Sequence, residues 1–299
     1  MSQTSQISSP SLIATVREWA EMIKIEHTVF ALPFALSGLI LAAKGWPDLA
    51  TVLWTVMAFA GARCAAMTLN RLIDAEIDAR NPRTKERAIP AGRISKTQAW
   101  LLTLVSFGVM IFAASMLPRI CLCLSPIAVA WLSLYSFTKR FTWLCHIVLG
   151  IALGGAALGG WVAAGGSLGE ATPWFLALAV STWVAGFDII YALQDIEIDK
   201  AEKLFSIPSR FGTAHALTIS SALHVLTVLA LLAVGFNSGL GLIYWVGVLV
   251  VAGILVYEHS LLKPDDLSKL DAAFFNMNGI LSISTFCIIL ADHLVRRLF

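Results

Sequence analysis

Charge is scarce in this chain. Only 13% of its 299 residues are Asp, Glu, Lys or Arg, against 58% hydrophobic. A soluble domain carries about twice that charged share, so an ordinary water-soluble globule is excluded. The net charge of +2 says little by itself; the partner expected is a lipid bilayer and not a nucleic acid. Cysteine chemistry is lacking as well. The five cysteines (Cys64, Cys121, Cys123, Cys145, Cys287) lie in or beside apolar stretches and form no C-x-x-C pair. That excludes a zinc knuckle or a redox dithiol and leaves them as small packing residues. The six histidines show no H-E-x-x-H spacing. Alternating ten-residue segments are missing, which excludes a β-barrel. Residues 1–15 form a polar arm without a basic n-region and apolar core, so no cleaved signal is expected.

Long apolar runs fill the rest. Nine of them are expected as membrane-spanning helices, at about 25–43, 50–72, 98–116, 120–138, 143–164, 172–194, 214–234, 239–258 and 272–291. Each is long enough for a hydrocarbon core of roughly 30 Å. The expected fold is an all-α polytopic membrane protein, with residues 16–299 as one membrane-embedded domain. The basic residues support the count. Alternate connections hold Arg17 and Lys24; Arg80, Arg83, Lys85, Arg87, Arg93 and Lys96; Lys139 and Arg140; Lys200, Lys203 and Arg210; and Lys263 and Lys269. The other side keeps Lys44, Arg119, Arg296 and Arg297. By the positive-inside rule the N-terminus is cytoplasmic, the C-terminus is outside, and the chain sits in the cytoplasmic membrane.

The acids that remain are concentrated at two places. NRLIDAEIDA closes the second span with Asn70, Asp74, Glu76 and Asp78. YALQDIEIDK closes the sixth with Asp195, Glu197 and Asp199, and Asp188 lies seven residues before Asp195. The segments share the frame D-x-E-I-D, and each leads into a basic loop. On a helix a four-residue step overshoots one turn by about 40°. Asn70, Asp74 and Asp78 therefore form one slanted row, Asp188, Asp195 and Asp199 a second, and Glu76 and Glu197 point away. Carboxylates at that depth need positive charge between them. Either Lys and Arg supply it, or a metal does. Two carboxylate rows beside basic residues suit a diphosphate chelated by Mg²⁺, which is held by one or two carboxylates plus phosphate oxygens. A single D-x-x-x-D at a helix end is usually only a solvated terminus; the repetition on one side raises the functional reading. An EF-hand is excluded because neither D-x-E-x-D is followed by the required Gly.

Three further features adjoin the acids. YSFTKR places Tyr135 and Lys139 four apart at the end of the fourth span, with Arg140 next. Arg63 lies seven residues before Asn70, where it either pairs with Asp188 or Asp195 or contacts a substrate anion. The glycines of LGIALGGAALGGWVAAGG, including the pairs Gly150/Gly154 and Gly155/Gly159, permit close helix approach or make a smooth wall for a long chain. The loop ARNPRTKER is an orientation signal and a candidate cap over a bound diphosphate.

On N-R-L-I-D-A-E-I-D, Asp188-I-I-Y-A-L-Q-Asp195-I-E-I-Asp199 and Y-S-F-T-K-R followed by F-T-W-L-C-H-I-V-L-G, the chain resembles the UbiA family of membrane prenyltransferases over nearly its whole length. The resemblance implies transfer of a prenyl group from an allylic diphosphate to an acceptor, often an aromatic ring. It implies that Asn70, Asp74, Asp78, Asp195 and Asp199 bind Mg²⁺ and diphosphate. Arg63, Tyr135 and Lys139 would contact the diphosphate, Asp188 and Tyr191 match the second motif, and Arg140 matches a position associated with an acceptor carboxylate. Lys24 stands where the family often has Arg. NPRTKERAIPAGRIS is similar to the branch acting on 4-hydroxybenzoate, which also includes enzymes acting on a carboxylated dihydroxynaphthoate on the way to menaquinone. Two readings of other classes are weighed beside this one. A cation-coupled transporter needs acids near the midplane and broken spans. A CDP-alcohol phosphatidyltransferase needs D-G-x-x-A-R, which the sequence lacks.

Overall fold

Apolar sequence of this density must bury its backbone polar groups in its own hydrogen bonds, which in lipid leaves helices. The computed structural model describes residues 12–24, 28–43, 45–270 and 276–298. Among these residues the regular structure is helical: α1 (Leu12–Met22), α2 (Thr28–Ala42), α3 (Leu49–Ile73), α4 (Ala75–Arg80), α5 (Lys96–Ser115), α6 (Arg119–Thr138), α7 (Cys145–Ala163), α8 (Thr172–Ala192), α9 (Ile196–Ala201), α10 (Ile207–Ser238), α11 (Leu242–Ser260) and α12 (Asn278–Leu298). Eight helices among the described residues are long and apolar enough to cross a membrane, with α8 and α9 taken together. The first expected span appears as the shorter α2, whose apolar part is Ala31–Ala42; residues 25–27 lie outside the described part. Most of the N-terminal arm lies outside it too.

The bundle is organised around α8, the most buried span, which packs between α7 and α10, while α2 packs against α7 and α12. Trp183 of α8 is fully buried at the centre. Its ring lies 5.1 Å from Phe34 and 4.9 Å from Phe187, and its indole N–H donates to Asn278 Oδ1 at 2.7 Å. The outer faces carry Leu53, Leu104, Phe112, Val225, Phe236, Leu249 and Val256, all exposed, as a lipid-facing surface requires. Close approach of α7 to its neighbours depends on glycine. A Cβ at Gly150 would stand 2.1 Å from Ser181 O on α8. One at Gly160 would stand 1.8 Å from Ala35 O on α2.

Two helix ends depart from the continuous geometry assumed above. α3 stops at Ile73, Asp74 sits at the junction with φ −87° and ψ −1°, and α4 restarts at Ala75. α8 stops at Ala192, runs through one 3₁₀ turn (Leu193–Asp195) and restarts as α9. Both repeated segments thus break at the first Asp of D-x-E-I-D. Such a break moves the acids from the C-terminal end of one helix dipole to the first turn of the next, where negative charge is favoured. The four-residue step survives, because Asp74 N donates to Asn70 O at 3.0 Å and Asp78 N to Asp74 O at 2.8 Å. α10 also begins earlier than the expected 214, at Ile207, with a kink at Gly212 (φ 78°) separating its first turn.

Candidate active site

The broken ends of α3 and α8 and the C-terminal end of α6 meet at one mouth of a cavity of about 690 Å³. Asn70, Asp74, Asp78, Asp188, Asp195, Asp199, Arg63, Tyr135, Lys139, Tyr191 and Lys24 all line it. Arg140 stands behind this wall. Its guanidinium donates to Asp74 Oδ1 (2.9 Å), Ile73 O (2.9 Å) and Ser136 O (2.9 Å), so it holds Asp74 and the helix break. From its mouth the cavity follows α6 back to Cys121, a helical distance of roughly 27 Å. Its far walls are apolar, with Phe59, Leu124, Ile127, Leu153 and Leu158 among them.

Each acid at the mouth has a definite partner. Asp74, 3% exposed, takes Lys139 Nζ at 2.5 Å as well as Arg140. Both oxygens of Asp78 accept from Arg87 Nη1 at 2.7 Å. Asp195 pairs with Arg83 and accepts from Asn81 Nδ2 at 3.3 Å. Asp199 accepts from Ser206 Oγ at 2.7 Å. Asp188, deeper on α8, accepts from His146 of α7 at 2.6 Å. The expected alliance of Arg63 with Asp188 or Asp195 is therefore replaced by His146 and Arg83; Arg63 reaches across to the carbonyl of Lys24 at 3.5 Å. Glu76 and Glu197 point outward to Lys96 and Lys200, as their spacing requires.

The end of α4 and the basic loop after it bridge the two acid segments at the mouth. Arg80 forms two bonds to Glu202 (2.7 and 2.5 Å), and Arg83 binds Asp195 and donates to Tyr191 Oη at 3.0 Å. Burial pulls the Arg83 pKa down, but its hydrogen bond and charge attraction to Asp195 outweigh this and leave it above the ordinary value. Arg83, Arg87, Asn81, Ser206 and His146 were not separable in the sequence as individual site residues. Their contacts bring together positions 7 to 114 residues apart, and no periodicity marks such pairs. The basic character of the loop pointed toward Asn81, Arg83 and Arg87, His146 lay within F-T-W-L-C-H-I-V-L-G, and nothing singled out Ser206.

The Asp78–Arg87 pair is largely enclosed, with side-chain exposure of 7% for Asp78 and 24% for Arg87. Removing one partner of a buried pair leaves the other charge stranded. Arg87→Met is expected to cost roughly 3 kcal/mol of stability, read as a lower unfolding temperature in detergent. Arg87→Met with Asp78→Asn is expected to recover most of that loss.

The site is thus a cavity in a helical membrane bundle, with acids and bases facing one another across its mouth and an apolar channel behind them. Residues 31–280 match the UbiA prenyltransferase family. A 4-hydroxybenzoate octaprenyltransferase of Pseudomonas aeruginosa is 33% identical over 260 residues, covering 86% of this chain and 86% of the relative. The apo structure of a UbiA homolog from Aeropyrum pernix K1 superposes with a TM-score of 0.81 at 36% identity, covering 92% of this chain and 99% of that one. A UbiA homolog from Archaeoglobus fulgidus, bound to DMAPP and Mg²⁺, shares the fold with a TM-score of 0.75 at 20% identity, over 93% and 99% of the two chains. The chain belongs to the UbiA prenyltransferase family, and it is an integral membrane prenyltransferase.

Proposed function

We propose that this enzyme transfers a polyprenyl group from an allylic diphosphate to an aromatic carboxylic acid, with Mg²⁺ as cofactor. The observation that carries the proposal is the cavity itself: two acidic segments and their basic partners at the mouth, continuous with a long apolar channel. The donor set fits a hard cation. Asp74, Asp78, Asp195 and Asp199 offer carboxylate oxygens to one cavity. Among the described residues no three His, Cys, Asp or Glu side chains converge as a complete metal site. A cation there needs oxygens from the substrate, which is the usual manner of Mg²⁺ with diphosphates. Asn70, Asp74 and Asp78 on one side, with Asp195 and Asp199 on the other, would hold it. When bound, Mg²⁺ supplies Lewis-acid neutralisation of the charge that builds on the leaving diphosphate.

The chain's own residues do the rest. Lys139, Arg83 and Arg87 already face carboxylates at the mouth; a diphosphate entering there exchanges those partners for its own oxygens. Tyr135 and Tyr191 line the same wall and orient the head. The apolar channel takes the prenyl tail and keeps water from the allylic cation. The acceptor carboxylate needs a cation inside the cavity. Arg63 meets that requirement, as does Arg71, which is buried and donates to Met22 O at 3.4 Å. Arg140, turned toward Asp74 and two carbonyls, serves the diphosphate end instead. Lys24 lines the cavity and adds positive charge to the same region.

The acceptor proposed is 4-hydroxybenzoate, the substrate in the name of the Pseudomonas relative; a dihydroxynaphthoate is the runner-up, since both carry the carboxylate. The positive-inside pattern supports a cytoplasmic mouth and N-terminus in the cytoplasmic membrane. A transporter is less well supported, because the acids gather at one end of the bundle rather than at its middle. Membranes containing the protein are expected to convert one of the two acids plus a polyprenyl diphosphate to a prenylated acid, detected by mass spectrometry. EDTA is expected to stop the reaction and excess Mg²⁺ to restore it. Product formation that survives thorough chelation would overturn the metal assignment. Solute flux in proteoliposomes without any prenylated acid would overturn the reading as a whole.

A further inference from the structure

Aromatic prenylation leaves one proton to be removed, and the mouth acids are poorly placed to take it. Asp74, Asp78 and Asp195 are each bound to cationic side chains, Asp199 accepts from Ser206 Oγ, and all four belong to the diphosphate end. Asp188 differs in depth and in partner. It lies two helical turns inside Asp195 on α8, roughly 10 Å along the axis. That is the side on which the acceptor ring must meet the prenyl carbon. Its partner is an imidazole held from both ends. Ile207 N donates to His146 Nε2 at 3.4 Å, so the ring proton sits on Nδ1 and is donated to Asp188 Oδ2 at 2.6 Å. His146 is almost wholly buried, while the Asp188 side chain keeps 24% of its surface open and lines the cavity. The His N–H fixes the direction of the carboxylate.

We infer that Asp188, oriented by His146, is the base that removes the ring proton of the aromatic acceptor. This inference rests on the prenyl-transfer reading above. The allylic C–O bond breaks with its electron pair leaving on the diphosphate. The ring carbon ortho to the phenolic oxygen supplies a pair to the new C–C bond. The C–H pair at that carbon then returns to the ring as its proton passes to Asp188. His146 does not touch the reacting atoms; it is a positioning residue. The competing base is the departing diphosphate.

The test uses the full-length protein in detergent, with both acids as acceptors and, in parallel, 4-hydroxybenzoate deuterated at both positions ortho to its hydroxyl. Asp188→Asn is expected to lower prenylated acid about a hundredfold, while Mg²⁺-dependent release of diphosphate continues and prenol accumulates as water traps the cation. His146→Leu is expected to lower the rate and to reveal a primary deuterium isotope effect absent from wild type. His146→Asn, whose amide N–H can replace Nδ1–H, is expected to recover much of the rate and suppress that effect. Wild-type rates of prenylated acid in Asp188→Asn, or His146→Leu and His146→Asn behaving alike without an isotope effect, would overturn the assignment and leave the diphosphate as base. If Asp188→Asn does not fold, the His146 pair decides alone. Wild-type protein that prenylates neither acid removes the functional reading, and the inference with it.

Discussion

Asp74→Asn is expected to reduce prenylated product by about a thousandfold in protein that still folds. Asp74 is the hinge of the first acidic segment, 3% exposed, at the break between α3 and α4. It gathers Lys139 and Arg140 from the end of α6. Asparagine keeps the volume and can accept from one of these cations, so the break persists. What disappears is the negative charge that pairs with a hard cation and places Lys139 toward the leaving group. Stabilisation of a developing anion is usually the largest single contribution to such a rate. Asp195→Asn removes the matching charge across the cavity, along with the ion pair to Arg83, and is expected to act to a similar degree. A purely structural role would lower the unfolding temperature and leave the rate per folded molecule within a few fold. The measurement is therefore product per folded protein, by mass spectrometry on size-exclusion peaks, together with the Mg²⁺ concentration giving half-maximal rate. Full activity in either variant would place the site elsewhere.

Membrane spans and the location of the acids were legible because both depend on local composition. Lipid demands long apolar runs, and an acid inside one stands out. The cross-cavity partners were not legible. Arg83 could be read only as part of a basic loop; its pairing with Asp195, 112 residues away, depends on how α4 and the loop fold back. His146 had no spacing to mark it, since its partner lies on the next helix. The helix breaks at Asp74 and around Asp195 were hidden for another reason. D-x-E-I-D keeps helical spacing through both interruptions, so a pattern count reads straight across them. Arg140 shows the opposite limit. Its position beside Lys139 is plain in the sequence, but whether it faces the cavity or the back of Asp74 depends on a side-chain direction that spacing does not set.

The glycines of α7 separate by the same criterion, and substitutions are expected to divide them into two kinds. Gly150 and Gly154 face α8, where an added Cβ would stand 2.1 Å from Ser181 O and 2.2 Å from Ser181 Oγ. Gly155 and Gly159 meet nothing within 4 Å at that position and line the cavity instead. Gly150→Leu must push α7 away from the most buried helix of the bundle, at an expected cost of about 3 kcal/mol. That cost is readable as a lower unfolding temperature and aggregation in detergent. Gly159→Leu keeps the packing and places a side chain in the channel toward its far end. Its unfolding temperature should stay near wild type, while kcat/KM for a long polyprenyl diphosphate falls about tenfold relative to a short one. Small-residue spacing in a membrane helix is ordinarily read as packing alone. Here one stretch of α7, Gly150 to Gly159, carries packing on one face and room for a chain on the other. Equal losses with long and short diphosphates in Gly159→Leu would show instead that the tail leaves the cavity before it reaches that wall.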